Sequence, residues 1–163
     1  MTLTIPSFPL SFDDFVTLAQ DMMKNPQGTA ALLIIALKTY IDDREKGLEI
    51  LNYLHGPRPL SVRDQQFIRD RMMDKPYLPD SYLAGARPKN NYTPDQPLSI
   101  QVLPDPIPAE SDEFARVRLM SSGADSPRIV TLRRQASGDV WFLWDYPAVV
   151  TGIRLPAKED PWS

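Results

Sequence analysis

The sequence predicts an α+β fold: an N-terminal bundle of about four helices, residues 11–75, packed on a C-terminal antiparallel meander of four to five strands, residues 98–154. Three observations predict it. Apolar residues recur at helical spacing through the first half. Short apolar and polar runs alternate through the last third, between turn residues. Nowhere does a strand pattern alternate with a helix pattern, so a parallel sheet is not expected. A proline-rich stretch, 76–108, links the two parts, and a tail, 155–163, follows. The 163 residues read as one domain.

Ser11 can cap the first helix with its hydroxyl. Phe12, Phe15, Val16, Ala19, Met22 and Met23 then form one stripe. Asn25-Pro26 restarts the chain, with proline suited to a first helical position. The second helix, about 26–42, is apolar nearly all round, which places it mid-bundle. A third, about 43–54, ends at His55-Gly56-Pro57, where glycine caps and proline stops. A fourth, about 61–75, is more charged. Its thin stripe of Val62, Ile68 and Met72 predicts an outer position.

Eight of the 17 prolines lie between 76 and 108, together with Tyr77, Leu78, Tyr82, Leu83 and Tyr92. That mixture predicts an ordered strap. Proline reduces the entropy lost on docking and the aromatics supply area.

The predicted strands are 98–103, 114–121, 128–135, 139–145 and a fifth at 149–154. Pairing Ser121 with Arg128 sets Leu119 against Val130 and Val117 against Leu132. It also sets Arg118 against Thr131 and Arg116 against Arg133, gathering arginines on one face. The loop Ser122–Pro127 has Gly123 for positive φ and Asp125 for an Asx-turn. The strand Val140–Trp144 is apolar on both faces, so it needs cover on both. Helices would supply one cover, and the strap or a partner the other.

No assembled chemistry is visible. Cysteine is absent, which excludes disulfides, thiolate metal sites and thiol nucleophiles. The one histidine, His55, falls at a helix end. No G-x-S-x-G elbow, phosphate loop or dinucleotide fingerprint occurs. Adjacent acids such as Asp13-Asp14 diverge on a helix and do not converge on an ion. No catalytic residue, metal site or cofactor is therefore expected. Net charge is −3, which argues against general nucleic-acid binding. The start of the chain lacks the features of a signal peptide, and Ala30–Leu37 is too short to span a membrane. The expectation is a soluble, cytoplasmic protein. A homo-oligomer is compatible with it.

Candidate binding residues are Arg116, Arg118 and Arg133 on the shared strand face, with Arg128 opening the second strand. Clustered guanidiniums are solvated, paired with acids such as Asp105, Glu110, Asp112 and Glu113, or face an anion. The first functional expectation is a non-catalytic protein-interaction module with an acidic partner, one version being a neutraliser of a bacterial toxin. The alternative is a small-ligand pocket or enzyme on a cystatin-like or nuclear-transport-factor-like cone, by fold-level analogy. There Trp141, Trp144, Tyr82 and Tyr92 would line the cavity and Arg128 or Arg154 would fix an anionic group.

The stretches NPQGTAALLIIAL, KPYLPDSYLAGARPKNNY, SSGADSPRIVTLRR and VVTGIRLP together resemble a family of uncharacterised bacterial proteins, a domain of unknown function, over about residues 8–156. The family carries proline after the arginine where this chain has Ile129, and its members often carry an export leader. The resemblance implies no activity or cofactor. It implies that Tyr82, Gly85, Pro88, Tyr92, Gly123, Asp125, Ser126, Pro127, Arg128 and Arg154 matter to a shared design, and Arg128 and Arg154 lack a structural role in the sequence pattern.

Overall fold

A computed structural model describes all 163 residues. Four helices are followed by the strands of an antiparallel sheet, as the residue pattern predicts. Helix α1 spans Phe12–Met22, and the Ser11 hydroxyl accepts the Asp14 amide at 3.1 Å. Helix α2 spans Pro26–Asp42, capped by Asn25. It buries twelve of its 17 residues and forms the spine of the core. Helix α3 spans Arg44–His55 and helix α4 spans Val62–Met72, the latter opened by a reciprocal Ser61–Asp64 capping box. Ile68 and Met72 of α4 are buried, whereas Val62 points into solvent.

Helix α3 lies against α2 because Gly47 lets the backbones approach. A Cβ there would sit 2.4 Å from the Tyr40 Cα. Gly28 has a similar role, its ideal Cβ position falling on the Met22 carbonyl.

The sheet runs in the order β1-β2-β3-β4-β5, all neighbours antiparallel. Strand β1 is Thr2–Ile5, β2 Leu98–Pro104, β3 Phe114–Leu119, β4 Arg128–Arg134 and β5 Trp141–Asp145. Two corrections concern strand identity. The N-terminal strand β1 was not expected from the sequence. Residues 149–154 are not a strand: Pro147 opens a 3-10 turn over Pro147–Val150, and Gly152 takes φ +71°.

A third correction concerns register. Leu119 pairs with Arg128, Val117 with Val130, Arg116 with Thr131 and Phe114 with Arg133. The expected pairing was displaced by two residues. Arg116 therefore does not oppose Arg133. The faces are unaffected, because a two-residue displacement preserves side-chain parity. Val117, Leu119, Val130 and Leu132 are buried under the helices.

One apolar cluster of 33 buried residues joins all four helices to the inner sheet face. The strap adds Leu78, Tyr82 and Leu83 to it, and Leu83 bridges to Ile100 of β2. The strap thus lies beside the sheet, on the helix side. The outer side of β5 is instead approached by the turn after α3, where Gly56 touches Phe142 and Arg58 overlies Trp144. The free edge of β5 is closed as well. The Trp141 amide donates to Met23 O at 2.8 Å, Thr29 Oγ1 donates to Trp141 O at 2.8 Å, and Arg58 donates to Trp144 O. No helix is long and apolar enough to cross a membrane.

Candidate functional site

The helical layer covers one face of the sheet, chiefly through α2 with α3 against β5, and the other face carries Phe114, Arg116, Arg118, Ile129, Thr131, Arg133, Phe142 and Trp144. Alternation along each strand puts them there. Each is half-buried, none fully covered.

The densest part of this face is centred on Trp144. The Arg58 guanidinium carbon lies 4.1 Å from its ring centroid and that of Arg133 lies 5.1 Å away. Phe114 meets the indole edge-on at 5.5 Å and takes Arg133 over its own ring at 5.0 Å. Aromatic faces carry negative charge density, so two cations can share one indole. A cavity of about 200 Å³ opens here, lined by Arg58, Arg133, Arg134, Glu113, Phe142 and Trp144 among others.

Acids from the 105–113 loop neutralise part of the face. Arg116 Nε donates to Asp105 at 2.8 Å, and Arg133 lies 3.5 Å from Glu113. Burial opposes the charge on Asp105, but the Ile107 amide and the Arg116 and Arg118 guanidiniums outweigh it and hold that carboxyl below the usual range. Arg58, Arg118 and Arg134 form no ion pair. Arg118 instead donates to Pro104 O at 3.2 Å.

The other sequence-derived candidates lie elsewhere. Arg128 reaches inward and donates to Thr151 O at 2.9 Å and Gly152 O at 3.2 Å, tying down the turn after β5. Tyr82 is 2% exposed and donates to Val149 O at 2.6 Å. Tyr92 stacks on Tyr77 at 5.6 Å and donates to Arg154 O at 2.7 Å. Burial pushes the Tyr92 phenol up to about 12 and raises that of Tyr82 further. Arg154 pairs with Asp125 at the surface. Trp141 packs against the helices, its backbone held by Met23 and Thr29. The structure therefore groups Arg116, Arg118 and Arg133. It places Tyr92, Asp125 and Arg154 in a second group at the opposite end of the β3–β4 hairpin, with Arg128 at that end of β4.

A second cavity of about 150 Å³ lies behind Trp144, lined by His55, Arg58, Asp64, Phe67 and Tyr146 among others. His55 Nε2 is 2.8 Å from the Tyr146 hydroxyl, and its Nδ1 has no partner. Burial, reinforced by Arg58, lowers the His55 pKa to about 4, so the ring is neutral at pH 7. A third cavity of about 420 Å³ lies between α2, α3 and the end of α4. None of the three is lined by Tyr82, Tyr92, Trp141, Arg128 or Arg154.

Sequence reading missed Arg58 and Trp144 as members of the outer face. Arg58 carries no local signal, since it follows a helix stop. Trp144 was expected to line a cavity with Trp141, Tyr82 and Tyr92, and it lines two cavities without them.

No curated protein and no solved structure matches the chain. The family described as Domain of unknown function (DUF6935) matches residues 7–157. That match spans the helices, the strap and strands β2 to β5, so the chain belongs to this family.

Proposed function

We propose that this protein is a non-catalytic protein-interaction module whose docking surface is the outer face of the sheet. One observation carries the reading. Arg58, without a carboxylate partner, overlies half-exposed Trp144, the equally unpaired Arg134 lines the same cavity from the end of β4, and unpaired Arg118 stands farther along the sheet face that no helix covers. Arginine and aromatic side chains supply most of the binding energy at interfaces. Unpaired guanidiniums select an acidic partner and steer its approach. One version of this reading makes that partner a bacterial toxin being neutralised, since such neutralisers are small, often acidic and free of assembled catalytic residues.

The test is affinity capture from native extract with the wild-type chain and with an Arg118→Glu/Arg134→Glu variant, at low and high salt. A partner held by the wild type, lost by the variant and weakened by salt is expected. An identical set of captured proteins for both chains overturns the reading.

A further inference from the structure

Trp162 is 92% exposed, more than any other large apolar side chain in the molecule. It does not hang from a loose end. Residues 157–159 form a 3-10 turn after Pro156, and the Lys158 amide donates to Asn91 Oδ1 at 2.8 Å. The Trp162 amide donates to Asp160 Oδ1 at 2.9 Å, and Ser163 Oγ donates to Ala157 O at 2.7 Å. The segment Leu155–Trp162 therefore presents an indole on a shaped turn. Beside it stand Glu159 and Asp160, neither of which forms an ion pair, and Leu155 at 45% exposure. This chemistry complements the outer sheet face, where unpaired Arg58 and the half-exposed, Glu113-paired Arg133 flank the Trp144 ring and unpaired Arg134 lines the adjoining cavity.

Within one copy the two surfaces do not meet. The tail leaves from the β3–β4 loop, where the Arg154 amide donates to Gly123 O at 2.9 Å. The arginine–aromatic cluster is at the other end of that hairpin, where Phe114 pairs with Arg133. The six residues of β3 separate them by roughly 17 Å at ~3.3 Å per residue.

We infer that the occupant of the outer face is a second copy of this chain, with the tail of each copy docked on the other's arginine–aromatic cluster. This rests on the proposed reading of that face as a docking surface and names its partner. Trp162 packs beside Phe142 and Trp144 of the other copy, and Glu159 and Asp160 face Arg58 and Arg134. A two-fold axis that sets the two copies antiparallel satisfies both contacts at once and closes the assembly. The shaped turn lowers the ordering entropy of association.

The experiment is sedimentation equilibrium of the full chain over a concentration series at low salt, with folding of each variant checked by circular dichroism. The wild type is expected to form a concentration-dependent dimer. A Glu159→Lys/Asp160→Lys/Trp162→Ala variant and an Arg58→Glu/Arg134→Glu variant are each expected to weaken it at least about tenfold, about 1.4 kcal/mol. A labelled peptide of residues 154–163 should bind the monomeric tail variant and not the arginine variant. A wild-type chain that stays monomeric, or a dimer untouched by either variant, overturns the inference. A labelled glutamate-rich peptide separates the two levels. If it binds the wild type and not the arginine variant while the tail peptide does not bind, the docking face stands and the second copy is excluded as its occupant. If neither peptide binds, both readings fall.

Discussion

The imidazole of His55 and the hydroxyl of Tyr146 lie 2.8 Å apart in a buried pair that joins the end of α3 to the segment after β5. Neither group reaches solvent freely, and each is shifted toward its neutral form, mainly by burial.

That pairing predicts a pH dependence. The folded His55 titrates at about 4, below the ordinary 6.5, so between those values the unfolded chain binds the extra proton. Stability is then full above pH 6.5 and falls as pH drops toward 4, by about 2 kcal/mol between pH 7 and pH 5. Urea denaturation at the two pH values should show that loss in the wild type and a much smaller one in His55→Gln. Equal losses in both would remove His55 as the cause.

Tyr82→Phe removes the donor that satisfies the Val149 carbonyl in a buried site. The unpaired carbonyl should cost about 1–3 kcal/mol. A thermal midpoint lowered by several degrees is the expected readout.

Gly47→Ala places a methyl into the α2 backbone, 2.4 Å from the Tyr40 Cα. The helices must separate, at a cost of about 1–3 kcal/mol despite the better helix propensity of alanine. Chemical denaturation distinguishes this from the stabilisation an open helical site would give.

Arg58→Ala uncovers one side of the Trp144 indole. About 1–2 kcal/mol of stability should be lost, from the exposed cation–π contact and the hydrogen bond to Trp144 O together. Acrylamide quenching of tryptophan fluorescence, measured in a Trp162→Phe background, should rise.

Asp125→Asn breaks an exposed ion pair with Arg154. It should change stability by less than about 1 kcal/mol, because exposed pairs are solvated in both states. Tyr92→Phe, which strands the Arg154 carbonyl in the same region, should cost more.

The helices were legible because their signals are local. Ser11, Asn25 and Ser61 announce starts by side-chain chemistry that needs no tertiary partner. The sheet was legible in parity and not in register. Strand alternation fixes which side chains share a face, but the loop length that sets pairing depends on distant atoms. Here Ser122 N donates to Ser81 O and Ser121 Oγ meets Ser81 Oγ at 2.9 Å, so the strap draws residues 120–127 into a longer loop. Strand β1 escaped notice although Thr2–Ile5 alternates threonine with aliphatic residues, because four residues before Pro6 are too few to specify a strand without the partner that β2 supplies. For the site, the shared face of Arg116, Arg118 and Arg133 could be read from alternation. The positions of Arg128 and Arg154 could not, since each is decided by a carbonyl or carboxylate far along the chain.

The closure of the β5 edge has a consequence for assembly. Met23, Thr29 and Arg58 occupy positions that a sixth strand would need. Runaway cross-β stacking cannot start beside Trp141–Asp145, the most aromatic strand of the protein. The remaining edge is the short rim at Thr2–Ile5, and Pro6 lacks the amide that a longer pairing there would need.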